Sequence, residues 1–228
     1  VTVDGVEFQV GSLAFNQGEN TGVTGYDLDG YVVGERVQLR QPKRLFFDEV
    51  SFTHGYVGDL TRPDVFHRLH RLGESNYGQL LVRQRINKYV SVSADYTYQT
   101  VMDTLRQGVK FTLPKASILD TVIFENYERI DPHPAYGFSL FGQKKINKVF
   151  TVGGGFARID RAMTLNGDRY PPGDRLNLNG IARLSREISV TAYLNRDVGP
   201  LPPQLPRTRF ELILSYNVLE TLRRFKIQ

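Results

Sequence analysis

Hydrophobic and polar residues alternate one by one along most of this chain. The clearest run is 90–98, where Val, Ala and Tyr alternate with Ser, Asp and Thr. Because successive side chains of a β-strand point to opposite faces, such a run predicts a strand with one apolar and one polar face. The same pattern recurs at 109–113, 136–140, 150–156, 176–184, 188–194 and 210–218.

The first half of the chain is less regular but still predicts strands. They lie near 3–15, 25–39, 45–57 and 76–85, with another at 118–130 whose inward and outward positions the pattern leaves open. The whole chain then holds about 12 strands separated by turn-forming residues. No linker, low-complexity run or change of composition divides it, so residues 1–228 are predicted to form one all-β domain.

One segment has a helical pattern instead. Thr61, Arg62, Pro63 and Asp64 favour a helix start, and Gly73 favours a helix end. This segment lies in the longest predicted connection, near 58–76. The sequence therefore predicts a short helix in one long loop.

Alternation alone fits two classes of protein, a soluble sandwich or barrel with its apolar face inside and a membrane barrel with its apolar face outside. Three features favour the membrane barrel. The polar face of the best strands stays polar over about ten residues, which is the length a tilted strand needs to cross a bilayer. Tyr and Phe cluster near strand ends, as at Tyr89, Tyr98, Tyr136, Phe150 and Phe225.

The third feature is the alternation of short and long connections along the chain. Short connections are predicted near 40–44, 83–88, 114–117, 143–148 and 184–187. Long ones are predicted near 16–24, 58–76, 129–135, 159–174 and 196–208. One end with short turns and another with long loops is the arrangement of outer-membrane barrels.

With these features the chain resembles the bacterial outer-membrane β-barrels, the porin-like class, although it has no Trp, a common residue of their aromatic girdles. The resemblance covers nearly the whole chain, rests on pattern and indicates no specific family. It implies a closed antiparallel up-and-down transmembrane β-barrel in the bacterial outer membrane. Membrane lipid would contact the apolar face, and the polar face would line a lumen.

Composition removes several other classes. The chain has no Cys, which excludes disulfides, zinc–thiolate sites and thiol catalysis. No run of about 18–20 apolar residues is present, which excludes a conventional transmembrane helix. The net charge of +5 does not by itself indicate nucleic acid, and no nucleic-acid partner is expected. Val1 is not Met and already starts an alternating run, so the chain is expected to be a processed protein or an excised domain.

Candidate catalytic chemistry is sparse. None of the four histidines, His54, His67, His70 and His133, stands in a nucleophile arrangement. Spacing of i, i+3 on the predicted helix would let His67 and His70 hold a metal, but Arg68 and Arg71 would repel a cation. We therefore expect no enzyme activity, no metal and no cofactor. The residues His67, Arg68, His70 and Arg71 are expected at the pore mouth.

Charged residues on the polar faces are the candidates for a pore lining. A water-filled lumen solvates such side chains, whereas lipid would not. An excess of Arg there favours anions, although Arg–Glu pairs between strands could equally serve only to hold the wall together. The predicted pore-lining residues are Arg36, Arg83, Lys110, Arg175, Arg183, Arg209, Glu187 and Glu211.

Basic residues are also unevenly distributed along the chain. The short turns and the C-terminal tail hold 14 of the 29 Lys and Arg residues, with few acids beside them in the sequence. Two interpretations stay open, ordinary anchoring at the membrane interface and a docking surface for an acidic partner or anionic headgroups. The predicted partner-facing rim consists of Lys144, Lys145, Lys148 and Arg186.

Three functional hypotheses follow. The first is a channel that passes small polar solutes, with anions favoured. The second is a non-transporting barrel that anchors or sheaths a larger envelope assembly or exporter. The third is a soluble ligand-binding β-barrel or sandwich. The sequence leaves open the solute, the oligomeric state, whether the pore is open or plugged, and whether the chain belongs to a longer protein.

Overall fold

The computed structural model describes residues 2–3, 5–20, 31–40, 46–57, 70–99, 102–131, 133–160, 173–199 and 208–218. Every element assigned within these residues is a β-strand. In chain order they are β1 (Thr2–Val3), β2 (Val6–Ala14), β3 (Tyr31–Leu39), β4 (Glu49–Tyr56), β5 (Tyr77–Arg85), β6 (Val90–Gln99), β7 (Met102–Thr112), β8 (Thr121–Asp131), β9 (Ala135–Lys145), β10 (Phe150–Ile159), β11 (Gly173–Arg183), β12 (Ile188–Asp197) and β13 (Thr208–Tyr216).

The strands form one antiparallel up-and-down sheet, in which each strand pairs with its neighbours in sequence. β1 is a two-residue strand that folds back on the start of β2, which leaves the 12 longer strands β2 to β13. The prediction of an all-β fold with about 12 antiparallel strands is therefore confirmed. Within the described residues, however, β13 pairs only with β12, so the sheet is open and the predicted closure into a barrel stays a prediction.

The predicted helix falls mostly outside the described residues, which resume at His70. The residues from there to Gly73 form a turn in the described structure. In the described part of the chain, no helix is long and apolar enough to cross a membrane.

Connection lengths follow the predicted alternation only in part. The turns between β5 and β6 (86–89), β9 and β10 (146–149), and β11 and β12 (184–187) are short, and they lie at one end of the sheet. At the opposite end, 57–76 and 160–172 are long. At that end the connection predicted to be long near 129–135 is in fact short, because β8 extends to Asp131 and β9 begins at Ala135. The connection between β6, which ends at Gln99, and β7, which begins at Met102, is also short.

Burial divides the sheet into two faces of opposite chemistry. In β6 Asp95 is 1% exposed, whereas the next residue, Tyr96, is 41% exposed. We call the buried polar side the inner face, and it includes Arg36, Thr53, Gln79, Asp95, Arg106, Glu125, Arg175 and Asn195. We call the exposed apolar side the outer face, and it includes Phe52, Leu80, Tyr96, Phe124, Leu140, Leu178, Leu212 and Leu214.

The burial pattern also shows which residues of β8 point inward and which point outward, a question that the sequence left open for the strand near 118–130. In β8 the residues Glu125 and Tyr127 are buried and Phe124 is exposed. Odd-numbered residues of β8 therefore belong to the inner face, which brings Glu125 opposite Ser139 of β9.

A small apolar cluster lies on the inner face where β3, β4 and β5 meet the long connections. Val32, Val57 and Tyr77 are buried there, and Phe15 packs against them. The rings of Phe15 and Tyr77 meet edge to face, with centroids 5.7 Å apart. This cluster anchors the residues that follow β2 against the inner face.

Candidate functional site: the buried polar inner face

Cross-strand pairing arranges the inner face in rows that run perpendicular to the strands. One row crosses nine strands, from β4 to β12, through residues that are directly opposite one another on neighbouring strands. It consists of Glu49, Arg83, Ser93, Gly108, Glu125, Ser139, Ala157, Arg175 and Asp197. Acidic and basic residues are interspersed along this row, so opposite charges from neighbouring strands come within reach of each other.

Charges on this face are buried and paired. Arg106 contacts Asp95 at 2.9 Å, with the side chains 3% and 0% exposed. Arg175 lies 3.8 Å from Asp197, and both side chains are 1% exposed. A buried charge without a partner is costly, and Arg106 meets this requirement by donating two hydrogen bonds to Asp95, whereas Arg175 and Asp197 compensate each other only at ion-pair distance. The half of the inner face near the long connections is therefore tightly packed.

Part of this packing comes from residues 15–20, which we call the inner segment. It leaves the end of β2 and crosses the inner face over β4 to β7. Asn16 donates from Nδ2 to Ser51 Oγ at 2.9 Å, and its carbonyl accepts a hydrogen bond from Gln79 at 2.8 Å. Asn20 donates to Asp95 at 3.1 Å. The inner segment is thus held by hydrogen bonds to three different strands.

Glu19 is the charged residue of the inner segment. Its carboxylate lies 3.4 Å from Lys110 Nζ and 3.9 Å from Arg83 Nη1, and its backbone N–H donates to Ser93 Oγ at 2.9 Å. Glu19 is 9% exposed, so most of the carboxylate surface is removed from water. Arg83 also lies 3.3 Å from Glu49, so its charge is shared between two acids.

Two glycines allow the inner segment to approach the sheet so closely. Gly18 has φ +60, a left-handed conformation that glycine adopts without the penalty of other residues. A Cβ on Gly108 of β7 would lie 2.3 Å from Asn20 Oδ1 and 3.1 Å from the Glu19 carbonyl carbon. A side chain at position 108 would therefore displace the Asn20 amide and crowd the Glu19 backbone.

The predicted pore-lining residues divide into four groups, three of which lie along the inner face. Arg83 and Lys110 converge on Glu19, as described above. Arg36 and Arg175 lie buried on the inner face, and Arg36 donates to Thr53 Oγ1 at 2.8 Å. Arg209 and Glu211 pair with each other at 2.6 Å on β13. These six residues lie on one face, and their role as a pore lining stays a prediction.

The two remaining pore-lining candidates lie at the short-turn end. Arg183 ends β11, and Glu187 lies in the turn before β12, where Ser185 Oγ donates to it at 2.7 Å. Both line a cleft of about 1250 Å³ together with Lys148 and Arg186. The structure therefore brings together two of the predicted rim residues and two of the predicted pore residues, with three basic groups and one acid among them.

The other two rim residues, Lys144 and Lys145, have an acid beside them that the sequence pattern did not reveal. Lys144 Nζ contacts Asp120 at 2.8 Å and the Ser117 carbonyl at 2.7 Å. The backbone N–H of Lys145 also donates to Asp120 at 2.8 Å. Asp120 precedes β8 and comes next to β9 through strand pairing, which reduces the positive charge of the rim at this point.

The predicted pore-mouth loop is described only at its end. His67 and Arg68 lie outside the described residues. His70 is exposed, and Arg71 pairs with Glu74 at 2.8 Å and lies 5.1 Å from the ring centre of Tyr56. Within the described residues there is no group of three His, Cys, Asp or Glu side chains that could hold a metal ion.

Sequence reasoning missed two important groups. Arg106 lies two positions before Gly108 in the alternating pattern, so extending that pattern would have placed it on the inner face beside Asp95. The inner segment carried no such signal, because Asn16, Gly18, Glu19 and Asn20 are typical of any polar loop. Its contact with Asp95 of β6 spans 75 residues of sequence, and its contact with Lys110 of β7 spans still more.

The contact between Asp120 and Lys144 gives a testable pH dependence. Hydrogen bonds from Lys144 and from the Lys145 backbone hold the pKa of Asp120 below its usual value. Its stabilising contribution is therefore complete above the usual carboxyl range and is lost as the pH falls through the lowered pKa. We expect Asp120→Asn to lower the free energy of unfolding at neutral pH, with the difference from the parent protein shrinking under acid conditions. Denaturant unfolding measured as a function of pH tests this.

Lys144→Gln serves as the matched control for this prediction. It removes the partner that lowers the pKa of Asp120, so the parent protein and this variant should also converge in acid. If the difference in free energy of unfolding between Asp120→Asn and the parent protein did not depend on pH, the stabilising contact between Asp120 and Lys144 would be contradicted.

Comparison with known proteins assigns no family. The chain matches no family model, no curated protein and no solved structure. The function proposed below therefore rests on the residues and geometry of this chain alone.

Proposed function

We propose that the chain is a transmembrane β-barrel of the bacterial outer membrane that passes small polar solutes, with anions favoured. The observation that carries this proposal is the inversion of the two faces. Leu212 and Leu214 are 67% and 72% exposed, while Asp95, Glu125 and Arg175 are at most 1% exposed. A soluble protein buries its apolar face, whereas a strand in a bilayer turns that face to lipid.

Closure of the sheet is the second part of the proposal. Open sheet edges do not occur in the hydrocarbon region, because lipid cannot satisfy their backbone N–H and C=O groups. The 12 longer strands alternate in direction, so β2 and β13 run antiparallel and can pair. Each has 9 residues. β1 occupies the edge of β2 at Val6 and Glu7, which leaves residues 8–14 available to β13.

Anion preference is supported by the charges at the short-turn end. The cleft there is lined by Lys148, Arg183 and Arg186, with Glu187 as the acid. Positive charge at a pore mouth raises the local concentration of anions and lowers the barrier to their entry. The same basic surface would also suit an acidic protein partner or anionic headgroups, as the rim hypothesis holds.

A second candidate function is favoured by the packing of the inner face. Buried ion pairs such as Asp95–Arg106 and the inner segment over β4 to β7 remove part of this face from contact with water. A barrel that only anchors or sheaths a larger envelope assembly would need no open lumen. Conductance measurements separate the two functions.

A substitution on the outer face tests membrane insertion. Near the bilayer midplane, Leu212→Arg should lower the free energy of unfolding in lipid by about 2–4 kcal/mol, because a lipid-facing cation is costly there. Asn217→Arg, just past the end of β13, is the control and should have little effect. Denaturant unfolding of the protein reconstituted in vesicles provides the measurement. A protein that is monodisperse in buffer without detergent and indifferent to Leu212→Arg would refute the membrane proposal.

Cysteine cross-linking tests closure of the sheet. The sequence contains no Cys, so no native cysteine has to be replaced first. Val10 of β2 lies on the outer face, as do Leu212, Leu214 and Tyr216 of β13. Residues on one face must pair with residues on that same face. We expect Val10→Cys to form a disulfide with Cys at one of these three positions, and the position that reacts gives the register.

The control for closure uses the opposite face of β13. Ile213→Cys lies between Leu212 and Leu214, and its side chain points away from that of Val10, so this pair should stay reduced. Failure of these three pairs under oxidising conditions, and of the same test at Thr208 and Phe210 on the outer face of β13, would show that β2 and β13 do not meet.

Conductance tests the choice between a channel and an anchor. In planar bilayers a channel should give discrete steps, with a reversal potential in a KCl gradient that indicates anion preference. Replacing Arg183 and Arg209 by Glu should reduce that preference or reverse it, because both lie on the inner face or at its mouth. Absence of steps in the parent protein and in variants that displace the inner segment would favour the anchoring function.

A further inference from the structure

The inner segment places a carboxylate in a basic pocket of the inner face. The walls of the pocket come from three adjacent strands, with Arg83 on β5, Ser93 on β6 and Lys110 on β7. Arg83 and Ser93 are directly opposite each other, and Ser93 is directly opposite Gly108, two residues before Lys110. Pairing in the sheet therefore fixes the positions of two cations and a hydroxyl around one point.

The chemistry of these groups is that of an anion site. Lys and Arg donate charge-assisted hydrogen bonds to carboxylate or phosphate oxygens, and a hydroxyl adds a further donor. In this structure Ser93 Oγ accepts a hydrogen bond from the Glu19 backbone N–H. Glu49 lies 3.3 Å from Arg83 and limits the net charge of the pocket, which favours a small anion over a highly charged one.

We propose that Arg83, Lys110 and Ser93 form a binding site for a small carboxylate or phosphate anion, and that Glu19 occupies this site as a tethered substitute when the lumen is closed. An anion that enters the pocket replaces the Glu19 carboxylate and releases the inner segment from β5, β6 and β7. This inference rests on the proposed channel function and identifies the class of solute and the element that blocks its passage.

The inner segment is built to be released from the wall without unfolding the sheet. Its residues contribute no backbone pairing to β4 to β7. Side-chain hydrogen bonds and the Glu19 ion pairs hold residues 16–20 there, while Phe15 stays packed on Tyr77 at the start of the segment. The surrounding strands pair with one another on both sides. Loss of the segment's contacts would therefore leave the strand ladder intact.

Two variants should expose the site by different routes. Glu19→Gln removes the tethered carboxylate. Gly108→Ala leaves every charge in place but puts a methyl group where Asn20 Oδ1 now lies, only 2.3 Å from the Cβ position. The φ of Gly108 is not in the left-handed region, so alanine fits the strand itself. Their controls are Glu74→Gln, an exposed acid of another connection, and Gly78→Ala, where a Cβ meets nothing within 4 Å.

Calorimetric titration of the full chain in detergent with inorganic phosphate measures the site directly. We expect Glu19→Gln and Gly108→Ala to bind phosphate at least about tenfold more tightly than the parent protein and the two controls. Adding Lys110→Gln to Glu19→Gln should abolish the gain. In planar bilayers the same two variants should conduct more often than the parent protein, and phosphate should block their chloride current.

The two measurements distinguish failure of this inference from failure of the proposed function. Phosphate binding by the exposed variants without conductance supports the site and refutes the channel. Conductance that phosphate does not block, with no binding in either variant, supports the channel and overturns the site. Because Glu19→Gln and Gly108→Ala act independently, misfolding of one still leaves the other to decide.

Discussion

The structure depends on one constraint, the need to satisfy polar groups that the sheet removes from water. Asp95 and Arg106 are buried on adjacent strands, and each compensates the charge of the other. Arg175 and Asp197 form a longer ion pair, at 3.8 Å, further around the sheet. Leaving one member of such a pair alone would be costly, so the inner face tolerates its charges only because neighbouring strands supply opposite ones. Strand register and inner-face electrostatics are therefore coupled, since a shift of one residue in a strand would move the inner-face charges of that strand to the outer face.

The inner segment extends the same constraint beyond the strands. Lys110 has an acidic partner on the inner face because Glu19 reaches it from the connection after β2. Asn16 and Asn20 likewise satisfy polar groups of Ser51 and Asp95. The segment therefore completes the polar wall as well as covering it. A carboxylate carried by a solute could perform the same electrostatic task, which is why covering the wall and recognising a solute can share one set of residues.

Sequence patterning was sufficient for the existence of the longer strands and, except in β8, for the chemistry of their faces, because both follow from a period of two. It placed Lys110 and Arg175 on the polar face correctly, as the burial of that face shows. It could not show what each charge contacts. The rim looked uniformly basic because Asp120 is separated from Lys144 by 24 residues and meets it only through the pairing of β8 with β9. It also could not find Glu19, since a loop residue has no periodicity that reveals its partner.

Arg36 connects the strand ladder to the inner segment and so determines where that segment begins. Its guanidinium donates to the Ala14 carbonyl at 2.5 Å, at the last residue of β2, and to Thr53 Oγ1 and Gln9 Oε1 at 2.8 and 3.3 Å. One buried cation thus joins β2, β3 and β4 at the point where the chain leaves the sheet for the inner face. Because Phe15 follows directly and packs on Tyr77, the direction of the inner segment is set within two residues of that point. The pairing of β2 to β5 therefore sets the direction in which the inner segment crosses the inner face, and the ion pair with Lys110 on β7 fixes the position of Glu19.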